Sequence, residues 1–204
     1  MELFLSALAS LFVIVDPLGT AAVFLALTKN FDAKAARSIA LKAVTIAIAL
    51  LTFFALFGEA LLSHLGISFD AFRIAGGLLL FVTAFRMIMG FHDAGTVDSD
   101  KSCYKDEGNI AVFPLAIPML AGPGCMTATV LNINLATNLL EKLGVIGAII
   151  LVELATLLCL LFASYVVKII GNTGSSILAR LMGILLAALS VQFIIEGITG
   201  ALHN

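Results

Sequence analysis

Two stretches place a proline, glycines and polar groups inside otherwise apolar sequence: Asp16-Pro17-Leu18-Gly19-Thr20 and Gly122-Pro123-Gly124-Cys125-Met126-Thr127. Proline removes a backbone donor and its ring clashes with the preceding turn, while glycine lets the chain unwind. A helix carrying either stretch is predicted to break there, and the freed N–H and C=O groups must be buried in protein or line a cavity. The half-helix that restarts beyond each proline presents unsatisfied amides and the positive end of its dipole, which suits an anionic group. The two breaks are not equivalent. Asp16 precedes a proline at the first helical position and can cap the new helix with its carboxylate, whereas Gly122 has no side chain to cap with. The amides of Gly124, Cys125 and Met126, with the Thr127 hydroxyl, are therefore the open anion site. Asp16 and the carbonyls before it suit an ammonium; a purely structural cap is the other reading of Asp16. A carboxylate at that depth would also suit proton coupling. Prolines that only kink packed helices compete with this picture, and the pairing of the two favours a site.

Glu153 is the other costly charge in apolar sequence, so it should face protein or water, either carrying a proton or bonding to a neighbouring helix. Asn132 and Asn134 follow the second break by one to two turns and fit either interhelical amide bonds or substrate contact. Arg73 and Arg180 open two helices at opposite faces, as snorkelling anchors or as partners in gate-region salt bridges. Glu59, Arg86 and Glu196 read as interfacial, and Gly183, Ala187 and Ser190 form a small-residue stripe for close helix packing. Cys103, Cys125 and Cys159 have no C-x-x-C spacing, and His64, His92 and His203 are scattered, so no disulfide framework, metal site or cofactor is expected. The run holding His92, Asp93, Asp98, Asp100, Cys103, Asp106 and Glu107 lacks calcium-loop spacing and reads as a hydrated linker. Neither H-E-x-x-H nor G-x-S-x-G nor an ATP-binding motif occurs, which argues against an enzyme and against a nucleotide-driven pump.

Such residues need an apolar frame to hold them. Of 204 residues, 61% are hydrophobic and 12% charged, against about 45–50% and about 25% in soluble domains. The mean hydropathy is +1.15. A soluble globule is excluded, and a net charge of -2 with no basic run excludes a nucleic-acid binder. Six stretches, 3–28, 39–64, 70–91, 110–137, 143–168 and 177–200, reach the roughly 20 apolar residues that a membrane helix needs. The first has no Lys or Arg before its apolar run and is interrupted by Asp16-Pro17, so it is not expected to be a cleaved signal peptide. The glycine-rich 171–176 stretch is expected to turn between the fifth and sixth helices. Nine Lys and Arg residues, Lys29, Lys34, Arg37, Lys42, Arg86, Lys101, Lys105, Lys168 and Arg180, fall on one side, against Arg73 and Lys142 on the other. That bias puts both termini outside and the 92–109 linker in the cytoplasm.

The chain also repeats itself at a shift of about 106 or 107 residues. Phe72-Arg73-Ile74-Ala75-Gly76-Gly77-Leu78-Leu79 lies against Ala179-Arg180-Leu181-Met182-Gly183-Ile184-Leu185-Leu186, and the register runs on from Thr83 opposite Ser190 to Gly90 opposite Gly197. Pro17 stands opposite Pro123. Three spans per half is an odd number, so the halves must cross the membrane in opposite senses. The expected fold is all-α and polytopic, a single transmembrane domain over 1–204. Its six helices form two inverted three-helix repeats, 1–91 and 110–204, with helices 1 and 4 broken near the midplane. Paired breaks of this kind point to a transporter's binding site.

These residues resemble the MarC family of bacterial and archaeal membrane proteins, also described as the neutral amino acid transporter family. The resemblance spans essentially the whole chain. It rests on Asp16-Pro17-Leu18-Gly19 with Phe24 and Leu27-Thr28, on Arg73-Ile74-Ala75-Gly76-Gly77, on Ala116-Ile117-Pro118 through Ala121-Gly122-Pro123-Gly124 with Thr127, and on Arg180-Leu181-Met182-Gly183 ending in Gln192-Phe193. It implies a six-helix inner-membrane protein, some members of the family moving glycine and other small neutral amino acids by coupling to an ion gradient. Cys125 and Met126 stand where relatives more often carry small or aliphatic residues. The functional expectation is a secondary transporter of small neutral amino acids, driven by H+ or Na+ and needing no cofactor. Export of other small metabolites, a channel and a non-transporting scaffold are the alternatives.

Overall fold

The computed structural model describes residues 2–89 and 107–203, and they are helical throughout with short connections and no strand. Eight α-helices follow in order: α1 (Glu2–Val15), α2 (Pro17–Leu27), α3 (Ala33–His64), α4 (Phe69–Met89), α5 (Glu107–Ile110), α6 (Pro123–Leu135), α7 (Leu139–Leu161) and α8 (Ala163–His203). An irregular helical stretch, Ala111–Leu120, links α5 to α6. Five helices are long and apolar enough to cross a membrane, counting α1 and α2 as one, and the pair Gly108–Leu120 and Pro123–Leu135, bent by 53°, makes a sixth if it is one span. His92, Asp93, Asp98, Asp100, Cys103, Asp106 and the Gly90 end of the repeat register lie outside the described residues. The linker's expected end at 109 moves back, since Glu107 already opens α5.

Local chemistry sets the boundaries. Asp32 caps α3 by accepting from the Ala35 amide at 2.7 Å. Gly66, at φ 67°, ends α3: its amide donates to the Ser63 carbonyl and that of Ile67 to the Leu62 carbonyl, the doubly bonded C-terminal motif for which a left-handed glycine is suited. Asn138 caps α7 through the Glu141 amide, and Glu141 reaches back to the amide and hydroxyl of Thr137.

Packing is inverted relative to a soluble protein. Large apolar side chains point outward, among them Phe57, Phe85, Leu140 and Leu158, whereas α3 turns a line of small residues inward, Ala40, Ala43, Ala47, Ala55 and Gly58. Lipid accepts apolar surface as readily as a core does, so close approach of backbones decides which face is buried. α1 packs on α7, α3 on α6 and the irregular stretch, and α4 along α8. The α4–α8 pair is antiparallel and closes through glycine: a Cβ on Gly77 would lie 2.8 Å from the Ser190 carbonyl oxygen, and one on Gly183 3.2 Å from that of Ala84. The expected small-residue stripe thus has its partner in α4. Gly77→Val should cost about 1–3 kcal/mol by overpacking, read as an earlier thermal unfolding midpoint in detergent. Gly147→Ala, with nothing within 4 Å of its Cβ, should leave that midpoint unchanged or slightly raised.

One boundary differs from expectation. The turn after the fifth span falls at Phe162, where α7 ends, and 171–176 lies within α8, a continuous helix of 41 residues. At roughly 1.5 Å per residue that is about 60 Å, twice a bilayer's hydrocarbon, and only Arg180–Leu202 qualifies as a span. Glycine in a helix costs about 1 kcal/mol, which neighbouring structure can override; proline would have forced a break, and none occurs after Pro123.

Candidate functional site

The first break is a single residue. Asp16 is the non-glycine residue with positive φ among those described, at φ 45°, a left-handed conformation that Asp tolerates better than most side chains. Its carboxylate Oδ1 accepts from the Gly19 amide at 3.2 Å, while its carbonyl accepts from the Thr20 amide at 2.9 Å. Pro17 then takes the first helical position of α2, where its missing N–H is no loss. Gly19 is required for this geometry, because a Cβ there would overlap the carboxylate. Thr20 turns its hydroxyl back to the Val15 carbonyl at 2.9 Å, satisfying a group that the break leaves without an intrahelical donor.

The second break begins further upstream than Pro123. Phe113 and Ile117 leave helical angles, at φ -133° and -126° with positive ψ, and each precedes a proline whose ring disfavours the helical region for its neighbour. The chain then bends at Ala121 and Gly122 before α6 restarts. Gly122 occupies the cap position and provides no side-chain bond. The Met126 amide donates to the Gly122 carbonyl at 3.0 Å, so Met126 is part of the helix ladder and not of the open anion site. Gly124 and Cys125 are left with the amides that α6 itself cannot satisfy.

Both breaks line one cavity of about 250 Å³. Asp16, Gly19 and Thr20 reach it from one side and Gly122, Pro123, Gly124 and Cys125 from the other, with Leu80, Thr83, Arg86 and Met87 of α4 closing it. Its volume lies below the about 300–1,000 Å³ of pockets for drug-sized ligands, so a solute of a few heavy atoms fits its scale. Gly124 also seats the Leu80 side chain, where its own Cβ would be.

Several expected contributors lie elsewhere. Pro17 is buried beneath the break. The Thr127 hydroxyl donates to the Pro123 carbonyl at 2.9 Å, and its side chain packs where a Cβ on Gly76 would be, so Thr127 holds α6 against α4. The Asn132 amide donates to the Ala128 carbonyl at 2.8 Å and approaches Ser10 Oγ at 3.5 Å, joining α6 to α1 outside the cavity. Arg73 pairs with Glu196 at 3.5 Å, tying the start of α4 to α8, whereas Arg180 is exposed. Glu153 is fully buried, and neither carboxylate oxygen has a hydrogen-bond partner. Arg86 and Thr83 are the polar cavity residues that sequence reasoning missed. Their i, i+3 spacing on one face of a helix and the register that sets Thr83 opposite Ser190 were the available signals.

Compared with known proteins, the chain matches a family model described as MarC family integral membrane protein over residues 1–202. It is 42% identical over 202 residues to a UPF0056 membrane protein of Methanocaldococcus jannaschii, covering 99% of this chain and 98% of the relative. A UPF0056 membrane protein of Aquifex aeolicus is 36% identical over 205 residues, at 99% and 95% coverage, and one of Escherichia coli is 33% identical over 197 residues, at 93% and 89%. No solved structure matches the chain.

Proposed function

Because the chain belongs to the MarC family of integral membrane proteins, we propose that it is a secondary transporter of small neutral amino acids of the glycine, alanine and serine class. One observation carries the reading: the two helix breaks, far apart in sequence, line a single small cavity. A zwitterion fits its polarity. The Gly124 and Cys125 amides at the start of α6 suit the carboxylate, with the Arg86 guanidinium adding positive charge, and Asp16 suits the ammonium. The packing of α1 on α7, of α3 on α6 and of α4 on α8 is what exchange of helices 1 with 4, 2 with 5 and 3 with 6 would leave unchanged. It supports six spans in two inverted repeats, and the uneven placement of Lys and Arg supports both termini outside a cytoplasmic membrane. With no ATP-binding motif in the sequence, an ion gradient is the energy source.

Flux of labelled glycine, alanine and serine into proteoliposomes, with proton and sodium gradients imposed separately, tests the reading. A carrier gives saturable uptake, and preloading the vesicles with unlabelled alanine speeds entry of the label. Non-saturating flux without exchange would favour a channel, and no flux of any of the three would remove the amino-acid reading.

A further inference from the structure

Glu153 lies in the middle of α7 with no exposed surface. Both of its oxygens lack hydrogen-bond partners, and so does the buried hydroxyl of Thr129 on α6. An ionised carboxylate in such a place has neither water nor a counter-charge to stabilise it. The buried faces of α1, α2 and α3, which pack against α7, carry no titratable group, and the described buried residues of α8, Ala163, Gly183, Leu186, Ser190, Phe193 and Gly197, carry none either. From α6, the Cys125 thiol comes within electrostatic reach of the carboxylate. Cys125 also lines the cavity between the helix breaks, and Thr129 stands one turn beyond it on the same helix face. α6, which packs on α7, thus borders both the cavity and the helix that holds the sealed carboxylate.

We infer that Glu153 is the proton site of the carrier, a neutral carboxylic acid sealed beneath α6 that exchanges its proton with water in the substrate cavity when α6 moves off α7. The proton leaves Glu153 as the carboxylate gains access to water and returns before α6 and α7 close again; no other bond changes. A sodium site would need several converging oxygen ligands, and the buried side-chain oxygens left without partners here belong to one carboxylate and one hydroxyl. The transport consequence rests on the carrier reading above, whereas the protonation itself can be read without it.

Infrared spectroscopy of the purified full-length protein in lipid vesicles at neutral pH should show the C=O stretch of a protonated carboxylic acid that moves in D2O, disappears in Glu153→Gln and shifts in frequency in Glu153→Asp. The same vesicles should retain exchange of labelled alanine in Glu153→Gln, with proton-driven accumulation lost. Alanine affinity in the wild type should change with protonation by roughly 5- to 150-fold, and this dependence should vanish in the variant. If the wild type moves no amino acid, the transport reading fails while the infrared band still decides the proton site. Should Glu153→Gln fold poorly, the frequency shift in Glu153→Asp carries the assignment. A spectrum in which neither variant alters a carboxylic-acid band, or a Glu153→Gln protein that still accumulates alanine on a proton gradient, would overturn the inference, and so would accumulation driven by sodium alone.

Discussion

Asp16→Asn should leave a folded, correctly inserted protein whose apparent affinity for alanine falls roughly 10- to 150-fold, the equilibrium equivalent of the about 1.5–3 kcal/mol carried by a hydrogen bond to a charged group. Asparagine keeps what the fold needs at this position. Its side-chain oxygen can accept from the Gly19 amide as the carboxylate does, it caps helices as well as aspartate, and it tolerates the left-handed conformation at φ 45°. Only the charge is removed. Asp16→Ala removes the cap and sets an ordinary side chain in that conformation, together costing about 2 kcal/mol or more of stability. Thermal unfolding in detergent separates the two variants: a near-normal midpoint for Asn and a lowered one for Ala, with weakened alanine exchange in both. An Asn variant with wild-type affinity would mean that Asp16 serves only as a cap.

The second large effect is expected at Gly122. A Cβ there would overlap the Pro118 carbonyl oxygen, a backbone atom that cannot rotate aside as a side-chain tip can. Gly122→Ala must therefore displace the irregular stretch relative to α6 and open or close the 53° bend. Overpacking of this kind costs about 1–3 kcal/mol. Moving the bend also moves Pro118, Met119, Gly122 and Pro123, which all line the cavity, so alanine exchange should fall by about tenfold or more, the equivalent of losing about 1.4 kcal/mol of ligand-binding free energy. Gly122→Ser carries the same Cβ and should fail alike even though serine caps helices well. Recovery of exchange in the serine variant would show that capping, and not the close approach to Pro118, is what Gly122 limits.

The breaks were legible because aspartate or glycine before proline in apolar sequence has few other outcomes. Asp16 and Gly122 stand where that chemistry places them, and the stripe of Gly183, Ala187 and Ser190 marked a close-packing face on α8, whose partner, α4, only the structure supplies. What was not legible depended on tertiary placement or on local competition. Arg86 reads as an interfacial charge along its own helix and becomes a cavity residue only because the fold brings this part of α4 to the cavity between the breaks. Thr127, Asn132 and the Met126 amide were plausible ligands, but each has an acceptor one turn earlier in its own helix, the usual alternative for such groups. Pro114 and Pro118 bear the same signal as Pro123, through the residues they force into extended angles, and the single-proline reading overlooked them. The 171–176 stretch misled in the opposite direction, its glycines being a moderate cost and not a stop.

The account's central claim, that a small zwitterion sits between the two breaks, is tested most directly by solid-state NMR of the isotope-labelled protein in lipid vesicles as alanine is titrated in. Saturable shifts of the Gly124 and Cys125 amide resonances, together with the Asp16 side-chain carboxyl carbon, with the Asn132 side-chain amide unmoved, are the predicted result. Saturable shifts confined to Asn132 and residues remote from the breaks, or none at any alanine concentration that supports exchange, would contradict it.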